Sequence, residues 1–430
     1  MTAEHIDIDS SSATHAQRRL RRNLALVIGV SFFHVFSLIM PVIVPIFESR
    51  GLDLGEILLL QAIFGFAVAS LEVPSGYLSD LIGRKRTLLI GSVFYAFGTL
   101  LLYFSEGFGM LVAFELCMAV AVSLISGADL ALLYDTELAI GGLQGRRPKA
   151  VRRLFLLDTL SAAAASVLAS LFLALQSLEA LIAIQAFVAW LPFVICFFVR
   201  EPPRRVLGSR RHSENFALIL RLVLTLSPLL RHAFLALAFW SLSVFFVVWL
   251  VQKQWQLQAI PLEYFGYLWA CLSLVSAIAG QTSNLVKRVS SPWTRLGFIA
   301  FAPVVGYLGL AFFGPVVGFF AAILIFLARG LGIVLLRDAV NSRIPSEIRA
   351  TVNSLANFGF RFAFTLLGPL VGFVFELGGM RITWLVVAIG SLALNIVFML
   401  PLIFAVQARH EKPVRAIQLD TVRRVMRMAA

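Results

Sequence analysis

Apolar runs about twenty residues long, separated by short polar or basic stretches, recur along the whole chain. A helix needs about 20 apolar residues to cross a hydrocarbon layer roughly 30 Å thick. Runs of that kind fall at 23–47, 56–80, 86–104, 108–133, 153–175, 179–199, 232–252, 264–286, 294–313, 316–336, 351–376 and 382–406. The pattern predicts an all-α polytopic membrane protein with twelve transmembrane helices. Two boundaries are blurred: Lys253, Gln254 and Gln256 interrupt the seventh run, and only Phe313, Gly314 and Pro315 part the ninth from the tenth.

The polar residues orient this array. With both termini inside, Arg50, Lys253 and Arg381 are the only cations on the outer side and Arg329 and Arg361 the only ones within spans; the rest of the 36 Lys and Arg lie inside. That asymmetry is the positive-inside pattern. It explains a net charge of +13 as topology and attraction to anionic lipid, so no nucleic-acid partner is expected. Composition agrees: 60% hydrophobic and 14% charged residues leave too little polar surface for a water-soluble enzyme. Cys117, Cys196 and Cys271 sit inside apolar runs and suggest neither disulfide nor metal site. The acidic start, Met1 to Ser12, lacks the pattern of a cleavable signal peptide.

The predicted organisation is a cytoplasmic tail (1–22), a six-helix bundle (23–200), a basic linker (201–231) opening on Glu201-Pro202-Pro203, a second six-helix bundle (232–408) and a cytoplasmic tail (409–430). An internal repeat supports the division. Adding 204 to Gly76, Asp80 and Arg84 lands on Gly280, Asn284 and Arg288, and adding 203 to Gly127, Leu132, Leu133 and Asp135 lands on Gly330, Leu335, Leu336 and Asp338. Parallel pseudo-symmetric halves with a mid-membrane site are one known transporter plan.

The segment Gly76-Tyr77-Leu78-Ser79-Asp80-Leu81-Ile82-Gly83-Arg84-Lys85-Arg86 closely resembles the loop signature between helices two and three of the major facilitator superfamily (MFS). Glu72-Val73-Pro74-Ser75-Gly76, Ser126-Gly127-Ala128-Asp129 and Gly368-Pro369-Leu370-Val371-Gly372 look like its bacterial drug-efflux-like permeases. The resemblance implies the MFS fold and a gating role for Gly76, Asp80, Gly83, Arg84 and Lys85. It also implies that helices two and eleven pack together. Two positions depart from the pattern of proton-driven antiporters: the fifth helix reads Ser161-Ala162-Ala163-Ala164-Ala165-Ser166 where a Gly-Pro is usual, and Ser123 stands where an Arg is frequent.

Ionisable groups inside spans are costly, and each asks for a partner or a purpose. Glu72 and Arg361 both lie roughly 12–17 Å from the inner face at 1.5 Å per residue, which suggests an inter-bundle charge pair. Asp129, His34 and Asp158 are the proton-coupling candidates, because a carboxyl withdrawn from water holds a proton more readily and imidazole titrates near neutrality. Arg329 is the leading candidate to bind an anionic substrate group, with Asp129 and His34 as further substrate-binding candidates. For each the alternative is a structural pair or a satisfied core residue. Glu115 is expected to snorkel outward. Trp240, Phe245, Phe246 and Trp249 are expected to be mostly lipid-facing or interfacial, with Gln61, Gln185, Gln281, Asn357 and Asn395 available to line a cavity.

No phosphate loop, metal cluster or nucleophile triad is present in the sequence, so catalysis and ATP-driven transport find no support. The sequence suggests a secondary transporter working by alternating access, with proton-coupled efflux of a small amphipathic or drug-like molecule as the leading mode. Uptake or facilitated diffusion of a metabolite, and a non-transporting sensor on the same fold, are the alternatives. No cofactor or metal is expected, the proton gradient being the energy source. The expected partners are a small-molecule substrate and membrane lipid, and the expected state is a monomer in the bacterial cytoplasmic (inner) membrane.

Overall fold

In the lipid interior a backbone must satisfy its own hydrogen bonds, and helices do so within one segment. The computed structural model describes residues 22–139, 149–201, 212–344 and 348–407, and these are nearly all helical. Among the described residues, eleven apolar segments are long enough to span a membrane. The last, Thr351–Gln407, is two helices joined at Gly379, whose positive φ of 68° ends one and starts the next, so the described residues hold twelve candidate spans. The helices are α1 (Arg22–Ser49), α2 (Leu54–Ile82), α3 (Arg84–Tyr103) and α4, which is broken into Gly107–Ile125 and Ala128–Ala139. Then follow α5 (Lys149–Leu173), α6 (Leu178–Phe198), α7 (Pro228–Leu257), α8 (Leu262–Gln281), α9 (Pro292–Phe312) and α10 (Pro315–Asn341). The merged segment supplies α11 (349–378) and α12 (380–407). Part of the stretch expected as linker is also helical, His212–Thr225.

The chain forms two compact units. The first comprises the described residues of Met1–Leu52, Phe66–Gly208 and Pro261–Ala270. Its core gathers Val27 and Val30 of α1, Leu88 of α3, Ile125, Leu132 and Leu133 of α4 and Cys196 of α6. The α1 helix is interrupted just before Pro41, which lacks an N–H and crowds the preceding turn. Gln185 of α6 repairs the gap: its Oε1 accepts from the Leu38 N–H at 2.8 Å, and its Nε2 donates to the Tyr95 hydroxyl at 3.2 Å. The small residues of α5 serve packing. Ser161 donates to the Phe32 carbonyl at 2.6 Å, Ser170 Oγ accepts from the Tyr267 N–H at 3.0 Å, and Gly266 lies flush on the Ser166 carbonyl.

The second unit comprises the described residues of Asp53–Gly65, Ser209–Ile260 and Cys271–Ala430. The opening turn of α2 is a reciprocal cap, with the Glu56 N–H bonded to Asp53 Oδ1 at 2.7 Å and the Asp53 N–H to Glu56 Oε2 at 3.0 Å. This part of α2 packs on α11. Thr365 Oγ1 donates to the Ala62 carbonyl at 3.2 Å, and a Cβ on Gly372 would stand 2.5 Å from the Gly55 Cα. The α7 helix loses its regular winding at Ala236–Trp240, tightens over Ser241–Val244 and resumes at Val247. The α1 break lies about 203 positions earlier, at the offset of the sequence repeat, so both halves interrupt their first helix at one place. At the α7 break the Tyr307 hydroxyl donates to the Ser243 carbonyl at 2.8 Å.

Candidate functional site

Three polar side chains meet inside the first unit. Ser31 projects from α1, Asp129 opens the second segment of α4 just after Gly127, and Asp158 comes from α5. Ser31 Oγ stands 3.3 Å from Asp129 Oδ2 and 3.3 Å from Asp158 Oδ2. Asp129 Oδ1 accepts from the Leu130 N–H at 2.6 Å, whereas Asp158 Oδ1 is buried with no hydrogen-bond partner. His34 follows Ser31 by one turn of α1, with its ring edge-on to Tyr95 at 4.8 Å and its Nδ1 without a partner. The structure thus brings Asp129 and Asp158 together through a serine that sequence reasoning did not single out. One small hydroxyl inside an apolar run gives no pattern signal.

The loop between α2 and α3 is held at several points. Gly83 has a φ of 101°, a conformation that side chains rarely adopt, and its turn admits the Glu201 carboxylate. Glu201 Oε1 accepts from the Arg84 N–H at 2.9 Å and so caps α3. The Arg84 guanidinium forms an ion pair with Asp135 and donates to the Ala131 carbonyl at 2.7 Å. Lys85 Nζ donates to the Phe197 carbonyl at 2.9 Å. Asn23 completes the clamp: it donates to the Arg200 carbonyl at 2.7 Å and accepts from the Arg200 N–H at 2.7 Å. Gly76 lies in the final turns of α2 with Asp80, whose side chain is outside the described residues. The second unit repeats the ion pair as Lys287–Asp338, each residue 203 positions after Arg84 and Asp135. The offset alignment had placed Arg288 opposite Arg84; the pairing in space selects Lys287.

The remaining charges are distributed between the units. Glu72 belongs to the first and Arg361 to the second. Within the second unit the Arg361 guanidinium lies 5.9 Å from the Phe64 ring centre. Arg329 lies at the middle of α10, 5.6 Å from the ring centre of Phe326 one turn earlier. Three expectations are corrected. Glu115 is only 5% exposed and does not snorkel. Trp240, Phe246 and Trp249 are buried, because α7 is enclosed by its neighbours where a lipid-facing helix would show its aromatics. Gln185 spends its amide on the Leu38 N–H and the Tyr95 hydroxyl, and Asn395 donates to the Ala300 carbonyl at 2.5 Å. The second unit also holds a largely apolar cavity of about 410 Å³, lined by Ser243 and Phe246 of α7, Leu370 and Val371 of α11, and Gly390 and Ser391 of α12.

The fold has many solved counterparts. The nucleoside transporter NupG aligns at a TM-score of 0.70 with 14% identity over 89% of this chain and 98% of its own. A bacterial homologue of the human lysosomal transporter Spinster aligns at 0.66 with 12% identity, covering 91% and 97%. A peptide transporter of the POT type aligns at 0.68 with 12% identity, covering 90% and 95%. At these identities the likeness is one of fold. In sequence, the chain is 31% identical over 102 residues to myo-inositol transporter 2 of Schizosaccharomyces pombe, a match to 22% of this chain and 18% of that protein's length. The family model of the Major Facilitator Superfamily matches residues 24–364, and the chain accordingly belongs to this superfamily of membrane transporters, which are not enzymes.

Proposed function

We propose that this protein is a proton-coupled secondary transporter that exports a small amphipathic organic molecule by alternating access. The observation that carries the coupling is the pair of 3.3 Å contacts from Ser31 Oγ to the carboxylates of Asp129 and Asp158. A hydroxyl has one hydrogen to donate. Each contact is a full two-centre hydrogen bond when one carboxyl is protonated and donates to Ser31 while the serine donates to the other. In that arrangement the trio holds one proton, with His34 one turn away as a further proton-coupling candidate. Export is supported by the resemblance to efflux-type permeases, and the amphipathic cargo by the apolar cavity of the second unit. The loop residues Gly76, Asp80, Gly83, Arg84 and Lys85 would act as the gate, Glu72 and Arg361 as a charge pair, and Arg329 as a cargo contact. The protein would work as a monomer in a bacterial cytoplasmic membrane with both termini inside, drawing on the proton gradient.

Uptake or facilitated diffusion is the second reading, favoured by the Ser161–Ser166 stretch, which packs helices in place of a Gly-Pro element. The test is proton movement in proteoliposomes with an inside-acid gradient, challenged with lipophilic cations, weak acids and sugars while internal pH is followed. Collapse of the gradient with one chemical class, lost in Asp129→Asn and Asp158→Asn, is the expected result. Cargo flux without proton movement would replace the proposal with uniport, and no cargo-dependent response of any kind would favour a sensor.

A further inference from the structure

A guanidinium in the middle of a membrane needs an anion, and in the second unit no described side chain supplies one to Arg329. Arg329 sits 14 residues into α10, about 21 Å from the helix start at 1.5 Å per residue. The carboxylate side chains described in this unit are Asp53, Glu56, Asp338 and Glu376, all near helix ends. Asp338 is already paired with Lys287 and lies nine residues along α10, about 14 Å away. Among the described residues the guanidinium has the Phe326 ring beneath it and no hydrogen bond or ion pair.

Two donors without acceptors stand on α7, which packs against α10 at Gly332. Gly332, one turn along the same face of α10, lets the benzo edge of Trp240 lie directly on the helix backbone. Trp240 is 0% exposed and its indole N–H has no acceptor. One turn further along α7, Ser243 is 2% exposed and its hydroxyl also lacks a partner. The carbonyl of Ser243 holds the hydroxyl of Tyr307, so this phenol, which interacts electrostatically with Arg329, has already spent its own proton. Buried donors without acceptors are costly and rare. Here two of them stand one turn apart on α7, where Trp240 packs against the α10 helix that carries Arg329. Ser243 also lines the apolar cavity of about 410 Å³, a size suited to a small organic molecule.

We infer that the second unit carries an oxyanion site in which Arg329, the Trp240 N–H and the Ser243 hydroxyl bind the carboxylate or equivalent group of an amphipathic anion whose apolar body occupies the adjoining cavity. The inference rests on the transport reading and deepens it: the cargo class becomes aromatic or aliphatic organic anions. The guanidinium offers a planar fork that matches two oxygens, and the indole and hydroxyl supply the further bonds that a carboxylate can accept.

The test is equilibrium binding to the purified full-length protein in detergent, by titration calorimetry, of 2-naphthoate against 2-naphthol, which shares its rings and carries no charge at neutral pH. The expected result is saturable binding of naphthoate, at least tenfold tighter than naphthol. Arg329→Gln should weaken naphthoate binding roughly 10- to 100-fold, the range for a lost charged hydrogen bond, while leaving naphthol unchanged. Trp240→Phe keeps a ring against Gly332 and removes only the N–H, so it should weaken naphthoate several-fold, and it carries the test should Arg329→Gln fail to fold. No saturable naphthoate binding, equal affinity for the two probes, or naphthoate binding indifferent to these substitutions would overturn the inference. These readings need no flux, whereas proton movement in Asp129→Asn tests the coupling alone, so failure of one is separable from failure of the other.

Discussion

Two glycines in the last two helices should respond to the same substitution with opposite signs. A glycine inside a helix costs roughly 0.5–1 kcal/mol relative to alanine through backbone entropy. At Gly390 of α12 an added Cβ meets nothing within 4 Å, so Gly390→Ala should recover most of that amount. At Gly372 of α11 the same methyl would stand 2.5 Å from the Gly55 Cα, against a comfortable separation of about 3.5–4.0 Å. The obstacle is backbone and cannot swing aside, so the two helices must part by about 1 Å. Overpacking of this kind costs about 1–3 kcal/mol. After the propensity gain, Gly372→Ala should lose about 1–2 kcal/mol. Thermal unfolding of the two variants and the parent protein in one detergent reads the difference directly, with the midpoint raised for Gly390→Ala and lowered for Gly372→Ala. Shifts in the same direction would refute the reasoning, since both substitutions change helix propensity alike and only the neighbours differ.

The paired ion bridges should also separate. Arg84 and Asp135 expose 20% and 21% of their side chains, Lys287 and Asp338 30% and 58%. A double-mutant cycle of Arg84→Met with Asp135→Asn should give a coupling of about 1–2 kcal/mol, and the Lys287 cycle about 0.5 kcal/mol or less, vanishing with added salt. Equal couplings would contradict the exposure argument. Gln185→Leu should destabilise the first unit by about 1–3 kcal/mol by leaving the Leu38 N–H buried without an acceptor, and hydrogen exchange at that amide should accelerate. Gln185→Glu, which keeps the accepting oxygen, should restore protection at Leu38; unchanged exchange in Gln185→Leu would show that the break is held by other means.

The fold was legible wherever apolar length alone decides, which is why the helix windows emerge from the sequence within a few residues. The internal repeat was legible too, because glycines and charges at helix ends keep their spacing. What pattern reasoning missed lies inside the windows. The breaks in α1 and α7 are nearly silent there, since Phe36, Ser37, Ser241 and Ser243 add little polarity to an apolar run. Asp129 and Asp158 were visible as expensive charges, but their meeting depends on the azimuth of three helices and on Ser31. Asp135 stood out in the repeat, yet its role as partner of Arg84 required the turn at Gly83 to aim the guanidinium back toward α4. Trp240 was misjudged because aromatic abundance does not say which face of a helix meets lipid.

The clamp around Glu201 has a consequence for how the chain is divided. Its members Asn23, Gly83, Arg84, Lys85, Phe197, Arg200 and Glu201 all precede residue 202. A polypeptide severed just after Glu201 keeps every contact of the clamp in the leading fragment, which therefore arrives with this seam already fastened. The trailing fragment still owes that fragment the Pro261–Ala270 stretch of α8, and takes Asp53–Gly65 of α2 in return. Covalent continuity at the middle of the sequence is thus dispensable to the seam, whereas each severed half carries one helix end that belongs to the other unit.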